Sequence, residues 1–140
     1  MSNRLTLAYE FSDDPKDDFG WLVIAAEGNG FAGTAGYWVQ WQDVVEWAAM
    51  LDAFPLPSSG IKREWGYTEE GTYYQVIYIG LSQSTPGGCL SVSLDLRDYY
   101  DRSLHAEFSF ETSYSRLAEF KAEVQRLMAG TSERAMLLGD

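Results

Sequence analysis

The chain has little of what usually builds a chemical site or a covalent staple. Its 140 residues hold one cysteine and one histidine, which excludes an internal disulfide and any cysteine-rich zinc site. Basic residues are scarce: 10 Lys and Arg stand against 21 Asp and Glu, a formal charge of −11. A field of that sign repels phosphate backbones and anionic lipid, so nucleic acid and membrane surfaces are poor partners. No stretch approaches the ~18 apolar residues of a membrane span. At the N-terminus Leu5, Leu7 and Tyr9 alternate with Arg4, Thr6 and Glu10, a strand pattern where a signal peptide would need a continuous apolar core. Repeats and low-complexity tracts are missing too. The cytoplasm is therefore the expected compartment. The acidity reads either as a solubilising device or as an aid to fast encounter with a basic protein partner.

What is present fits one globular domain spanning 1–140. With 46% apolar and 22% charged residues, a chain of this length buries roughly 68–70% of its unfolded surface without a staple. Strands are expected at about 4–11, 20–27 (apolar on both faces, hence central) and 31–41, with a turn at Gly28-Asn29-Gly30. A helix follows, Asp43 placed as N-cap with Glu46 completing a capping box, and Val44, Trp47, Ala48 and Leu51 on one face. Pro55 and Pro57 stop it. Ile61–Tyr67 reads as a short strand and Tyr73–Leu81 as a longer one, before a turn at Thr85-Pro86-Gly87-Gly88. Leu90, Val92, Leu94 and Leu96 then alternate with polar residues, and after a turn over Asp98–Ser103 so do Leu104, Ala106, Phe108 and Phe110. A second helix over 114–129 buries Leu117, Phe120, Val124, Leu127 and Met128 and ends at Gly130. Residues 131–140 add one more helical turn through Ala135–Leu138 or fray. Hairpin-linked strands broken by two helices predict an α+β fold. Its form is a mostly antiparallel sheet of about six or seven strands, with both helices packed on one face.

Motifs that could carry chemistry dissolve one by one. Gly28-Asn29-Gly30-Phe31-Ala32-Gly33 spells GxGxxG, but a dinucleotide site needs a helix to start inside it, and Gly36 followed by aromatic and β-branched residues favours a strand. A glycine-rich hairpin is expected, with no cofactor. Asp13, Asp14, Asp17 and Asp18 lack the spacing, glycine and closing glutamate of an EF-hand, so they read as a solvated loop with no metal. His105, on the polar face of a strand beside Glu107, has no thiol or serine motif to join and gives no metal site without carboxylate help. Cys89 has no basic neighbour in sequence to activate it. Glu64, Glu69, Glu70 and Glu107 are the carboxylates that could flank a cleft for acid–base work. No catalytic residue is assigned.

Aromatic residues are unusually frequent, at 15%. Two stretches mix them with acids in or beside loops: Trp65 and Tyr67 with Glu69 and Glu70, and Tyr99 and Tyr100 with Asp101. These seven are the candidate partner-binding residues, because Tyr and Trp give large contact area at low entropic cost and the acids would pair with a partner's Arg or Lys. The competing reading folds the rings back over a sheet edge.

The order of features resembles that of small bacterial domains of unknown function found among immunity proteins of polymorphic-toxin and contact-dependent inhibition systems. The matching pieces are Gly30-Phe31-Ala32-Gly33 before an aromatic strand, the helix from Trp47 to Pro55, and the strands Tyr74–Leu81 and Gly88–Leu96. Phe108-Ser109-Phe110-Glu111-Thr112 leading into Leu117-Ala118-Glu119-Phe120 completes them, over roughly residues 20–129. The resemblance implies an intracellular antidote that binds and blocks a cognate toxin, with no catalytic residue to carry over. The expectation is a non-catalytic protein-binding domain of this kind. The alternatives are a small enzyme or ligand-binding domain with a carboxylate-lined cleft, or a structural or assembly subunit.

Overall fold

A computed structural model describes residues 3–84 and 88–140. It contains eight strands and two helices: β1 (Arg4–Glu10), β2 (Phe19–Gly28), β3 (Phe31–Gln40), α1 (Trp41–Ala49), β4 (Ile61–Glu69), β5 (Thr72–Gln83), β6 (Cys89–Arg97), β7 (His105–Ser113), α2 (Tyr114–Met128) and β8 (Ala135–Leu138). The α+β class holds, but the single sheet of six or seven strands does not. The strands form two four-stranded antiparallel sheets, ordered β3-β2-β1-β8 and β4-β5-β6-β7. Alternation within each strand reveals which face is buried but not which strands share a sheet, and α1 with its loop separates the two meanders.

Each sheet turns one face inward. Leu5, Leu7, Leu22, Ile24 and Leu137 of the first sheet meet Ile77, Ile79, Leu90, Val92, Leu94 and Phe110 of the second in one core, which the apolar stripes of both helices complete. Trp47 of α1 is central, with its ring edge-on to Trp65 of β4 at 6.5 Å and to Phe120 of α2 at 5.9 Å. β3 runs across one end of the second sheet. Gly33 lies against Ala106 of β7, with no space for a Cβ, and four residues on the Tyr37 hydroxyl donates to the Gly66 carbonyl of β4 at 3.2 Å.

The β2–β3 hairpin closes where Gly28-Asn29-Gly30 places its turn. Asn29 and Gly30 both have positive φ, 52° and 90°, as a two-residue mirror-image turn requires. GxGxxG therefore lies within a hairpin, and β2 is an inner strand as expected. Its outer face is half-buried, however, and not covered.

One helix start and one terminus differ in detail, while the end of the second helix does not. α1 starts directly from β3, with Gln40 at the N-cap and no side-chain cap. Asp43 sits instead in the first turn, where its charge suits the helix dipole. The stripe Val44, Trp47, Ala48 and Leu51 is buried as predicted. α2 ends in the Gly130 motif foreseen: Thr131 N–H donates to the Arg126 carbonyl and Gly130 N–H to that of Leu127, with Gly130 at φ 79°. Residues 131–140 do not fray or extend the helix. Ala135–Leu138 pairs with Leu7–Arg4 as β8. Thr112 Oγ1 donates to the Leu138 carbonyl at 2.7 Å, and Asp140 N–H to that of Glu111 at 2.8 Å, tying the C-terminus to both sheets. A four-residue apolar run is ambiguous between helix and strand; the free edge of β1 decides it. The expected turn at Thr85-Pro86-Gly87-Gly88 lies, at 85–87, outside the described residues. No helix among the described residues is long and apolar enough to cross a membrane.

Candidate functional site

The two-residue turn of the β2–β3 hairpin sets Trp21 directly opposite Trp38. Both point outward, since Leu22, Tyr37 and Val39 turn toward the core. Their rings meet edge-on at 5.1 Å. Trp21 lies flat against the sheet because residue 36 is glycine; a Cβ there would sit 2.6 Å from the indole. Beyond the end of β1, Phe11 packs edge-on to Tyr9 at 4.8 Å. The chain then enters the loop of Asp13, Asp14, Asp17 and Asp18. From the far side the β6–β7 loop contributes Tyr100.

Together these groups line an open groove of about 630 Å³: Phe11, Trp21, Trp38 and Tyr100 as its apolar part, Glu10, Asp13, Asp14 and Asp17 as its rim. Three of the rings stand well out into solvent, Phe11 at 41%, Trp38 at 53% and Tyr100 at 84%. Large aromatic groups this exposed in one place form an apolar patch of the kind that protein interfaces and ligand grooves share. The acidic loop beside them is ordered by its own side chains. Asp14 Oδ1 accepts from Lys16 N–H at 3.0 Å, Asp17 Oδ1 from Phe19 N–H at 2.9 Å, and the Asp18 carbonyl accepts the first N–H of α1 at 3.0 Å. The solvated-loop reading of these aspartates is right, and it is incomplete: the loop is one wall of the groove.

Of the seven partner-binding residues expected from sequence, three come together. Tyr67, Tyr99 and Tyr100 form a chain of rings with Tyr37 and Tyr74: Tyr67 stacks on Tyr74 at 5.4 Å, Tyr99 meets Tyr67 at 5.5 Å and Tyr37 at 5.6 Å, and Tyr100 lies 4.9 Å from Tyr99. Arg102 closes the row over Tyr74 at 5.2 Å, its guanidinium also donating to the Gln75 carbonyl. Burial among its neighbours raises the Tyr37 hydroxyl above its ordinary pKa. The row links the core to Tyr100 in the groove. Trp65 is 7% exposed and packs on Trp47, so it serves the core and offers no ring to a partner. Glu69 and Glu70 sit at the tip of the β4–β5 hairpin, Glu70 at φ 50° and Gly71 at φ 80°, and do not line the groove. Asp101 is fully exposed; hydrogen bonds from the Ser103 hydroxyl, at 2.6 Å, and backbone lower its pKa. It shapes the loop that carries Tyr100.

Phe11, Trp21 and Trp38 were not among the expected site residues. The signal was available: a turn centred on Asn29-Gly30 pairs residues whose numbers add to 59, which sets Trp21 against Trp38.

A second hollow, about 520 Å³ and open, lies on the outer face of β4–β7. Register places Glu64, Tyr78, Asp95 and Glu107 in one cross-strand row, so Glu64 and Glu107 do share a surface while Glu69 and Glu70 stay at the hairpin tip. His105 is exposed, as predicted, but not alone: its Nε2 lies 2.8 Å from Asp95 Oδ1, with Arg97 Nε 3.7 Å from the same oxygen. Cys89, half-buried, opens β6 as a free thiol. Protein-family models and curated proteins, compared with the whole chain, return no match.

Proposed function

We propose that this chain is a non-catalytic protein-binding domain that docks a basic partner on the groove of Phe11, Trp21, Trp38 and Tyr100. The observation that carries the reading is the coincidence, in one place, of exposed aromatic rings and an ordered acidic loop. Arg and Lys lay their aliphatic stems along Trp and Tyr faces, and their charged heads either sit over the rings in cation–π contact or pair with carboxylates. A net charge of −11 speeds encounter with such a partner. An immunity-type inhibitor of a cognate bacterial toxin is the specific form we favour, since a basic toxin domain would meet both requirements.

The test is affinity capture from the native host with the wild-type chain, Trp38→Ala, and an Asp13→Asn/Asp14→Asn/Asp17→Asn triple variant. One dominant basic protein should be enriched by the wild type, depleted by both variants and released by salt. Equal recovery by all three chains sinks the proposal. Growth rescue on co-expression with that partner separates an antidote from an assembly subunit, and light scattering reveals any self-association. A second reading, a small ligand-binding or hydrolytic domain, is favoured by the carboxylate row on the second sheet. Its hollow is open, and Glu64, Gln75, Ser93, Asp95, Glu107 and Ser109 border it, where a small-molecule site is usually an enclosed cleft with only a few polar groups, so it ranks behind.

A further inference from the structure

We propose that the outer face of the second sheet holds a divalent transition-metal ion, ligated by Asp95, His105 and Glu107. This site shares no residue with the groove, although the β6–β7 loop that joins its two strands carries Tyr100, and it does not depend on how the groove is used.

Strand geometry brings the three together. β6 and β7 pair so that Asp95 faces Glu107 and Arg97 faces His105. Residues two apart on a strand share a face, so His105 and Glu107 stand side by side with Asp95 across from them. Their ligating atoms all lie within 4.8 Å of one another, and the shortest separation, His105 Nε2 to Asp95 Oδ1, is 2.8 Å. Ligands at about 2.0–2.2 Å from zinc are spaced roughly 3–3.5 Å apart in its coordination shell. That pair, at hydrogen-bond distance, has only to open by a few tenths of an ångström to admit an ion, and small side-chain rotations bring Glu107 in while the backbone pairing stays fixed. On binding, Nε2 turns its lone pair to the ion: a neutral ring does so as the tautomer that carries its proton on Nδ1, and a protonated ring releases its second proton to solvent.

Charge argues the same way. Carboxylates directly opposite each other on neighbouring strands repel, and Asp95 faces Glu107 with Glu64 farther along the row. The cations at Asp95 are Arg97 and, when protonated, His105. A dication would neutralise two carboxylates at once. The adjoining hollow, bordered by the Ser93 and Ser109 hydroxyls, leaves room for water to complete the shell. One imidazole with two carboxylates suits zinc or manganese; calcium prefers an all-oxygen cage.

The test uses the full-length, tag-free chain and ZnCl2 alone, in a non-coordinating buffer. Calorimetry should give one site per chain. The chain has a single histidine, so its imidazole NMR signals are unambiguous and should shift in step with occupancy. His105→Gln and Asp95→Asn, checked for folding by circular dichroism, should each weaken zinc at least ~100-fold, beyond what outer-shell substitutions commonly cost. The Asp13/Asp14/Asp17 triple variant should bind as the wild type does. The proposal fails if zinc binds without moving the His105 signals, if His105→Gln retains full affinity, or if calcium binds as tightly as zinc. The imidazole readout on the wild type decides the matter even where a variant does not fold.

Discussion

On their inner faces the two sheets follow one recipe; on their outer faces they diverge. Leu5, Leu7, Leu22 and Ile24 of the first and Leu90, Val92, Leu94 and Phe110 of the second are interchangeable in kind, aliphatic or aromatic groups at every second position and almost fully buried. Outside, the first sheet presents a tryptophan pair over a glycine, flanked by aspartates. The second presents a row of carboxylates with one imidazole. The inner pattern satisfies the shared demand of burial, while nothing in folding requires Trp38 to be half in water. What differs between the sheets is therefore the place to look for function.

The most direct way to break this comparison is to show that the inner faces are unequal. Leu22→Ala and Leu94→Ala each empty a fully packed site, and each should cost about 2–5 kcal/mol in urea unfolding. If one proves nearly neutral, the two sheets do not share a single core. The next largest effect falls on the outer face. Trp38→Ala should weaken the captured partner roughly 30-fold, about 2 kcal/mol, as hot-spot tryptophans do, and change unfolding by no more than about 0.5 kcal/mol. Loss of stability in place of loss of binding would move Trp38 from the functional column to the structural one.

Inner faces were legible from sequence because burial obeys local period: Leu90, Val92, Leu94 and Leu96 announce their side, as do Leu117, Phe120 and Val124. Pairing was not, because it depends on residues far apart. Ala135–Leu138 becomes a strand only against Leu5 and Leu7, some 130 residues earlier, and no local pattern states that. The same gap divides the site. Tyr99 and Tyr100 stood out as aromatics in an acidic loop, whereas Trp21 and Trp38 looked like ordinary strand residues until the hairpin register set them together. Trp65 resembles Tyr67 in sequence, yet the chain bulges between Trp65 and Gly66, and the indole drops into the core beside Trp47. His105 and Asp95 meet only through the pairing of β6 with β7.

Tyr9 sharpens the comparison where the first sheet's core approaches the groove. Its hydroxyl donates to the Val39 carbonyl at 2.6 Å. Burial first, then the nearby carboxylates of Asp17 and Asp18, push its pKa from 10.0 up to about 12. An unfolded tyrosine ionises near pH 10, so the fold holds the proton where the open chain gives it up. That contribution is intact below about pH 10 and is lost as pH rises toward 12. Tyr9→Phe should cost about 1 kcal/mol at pH 7 for the lost hydrogen bond and flatten the alkaline limb of the stability profile. An unchanged limb would mean that Tyr9 is not what ionises on unfolding.

The smallest effect comes from the points where each meander passes directly into a helix. β7 enters α2 through Ser113, whose hydroxyl accepts the Arg116 N–H at 3.4 Å; β3 enters α1 through Gln40, which caps nothing. Ser113→Ala should therefore cost about 0.5 kcal/mol, the low end for a cap, because the bond is long. Gln40→Ser places a hydroxyl at an N-cap already extended at φ −68° and ψ 135°, and should raise stability by a similar amount. Thermal unfolding of the two single variants and the double variant checks both. Helices that touch through Trp47 and Phe120 but start from independent caps should show additive changes. A double variant far from that sum would mean that the two helix starts are coupled through the core.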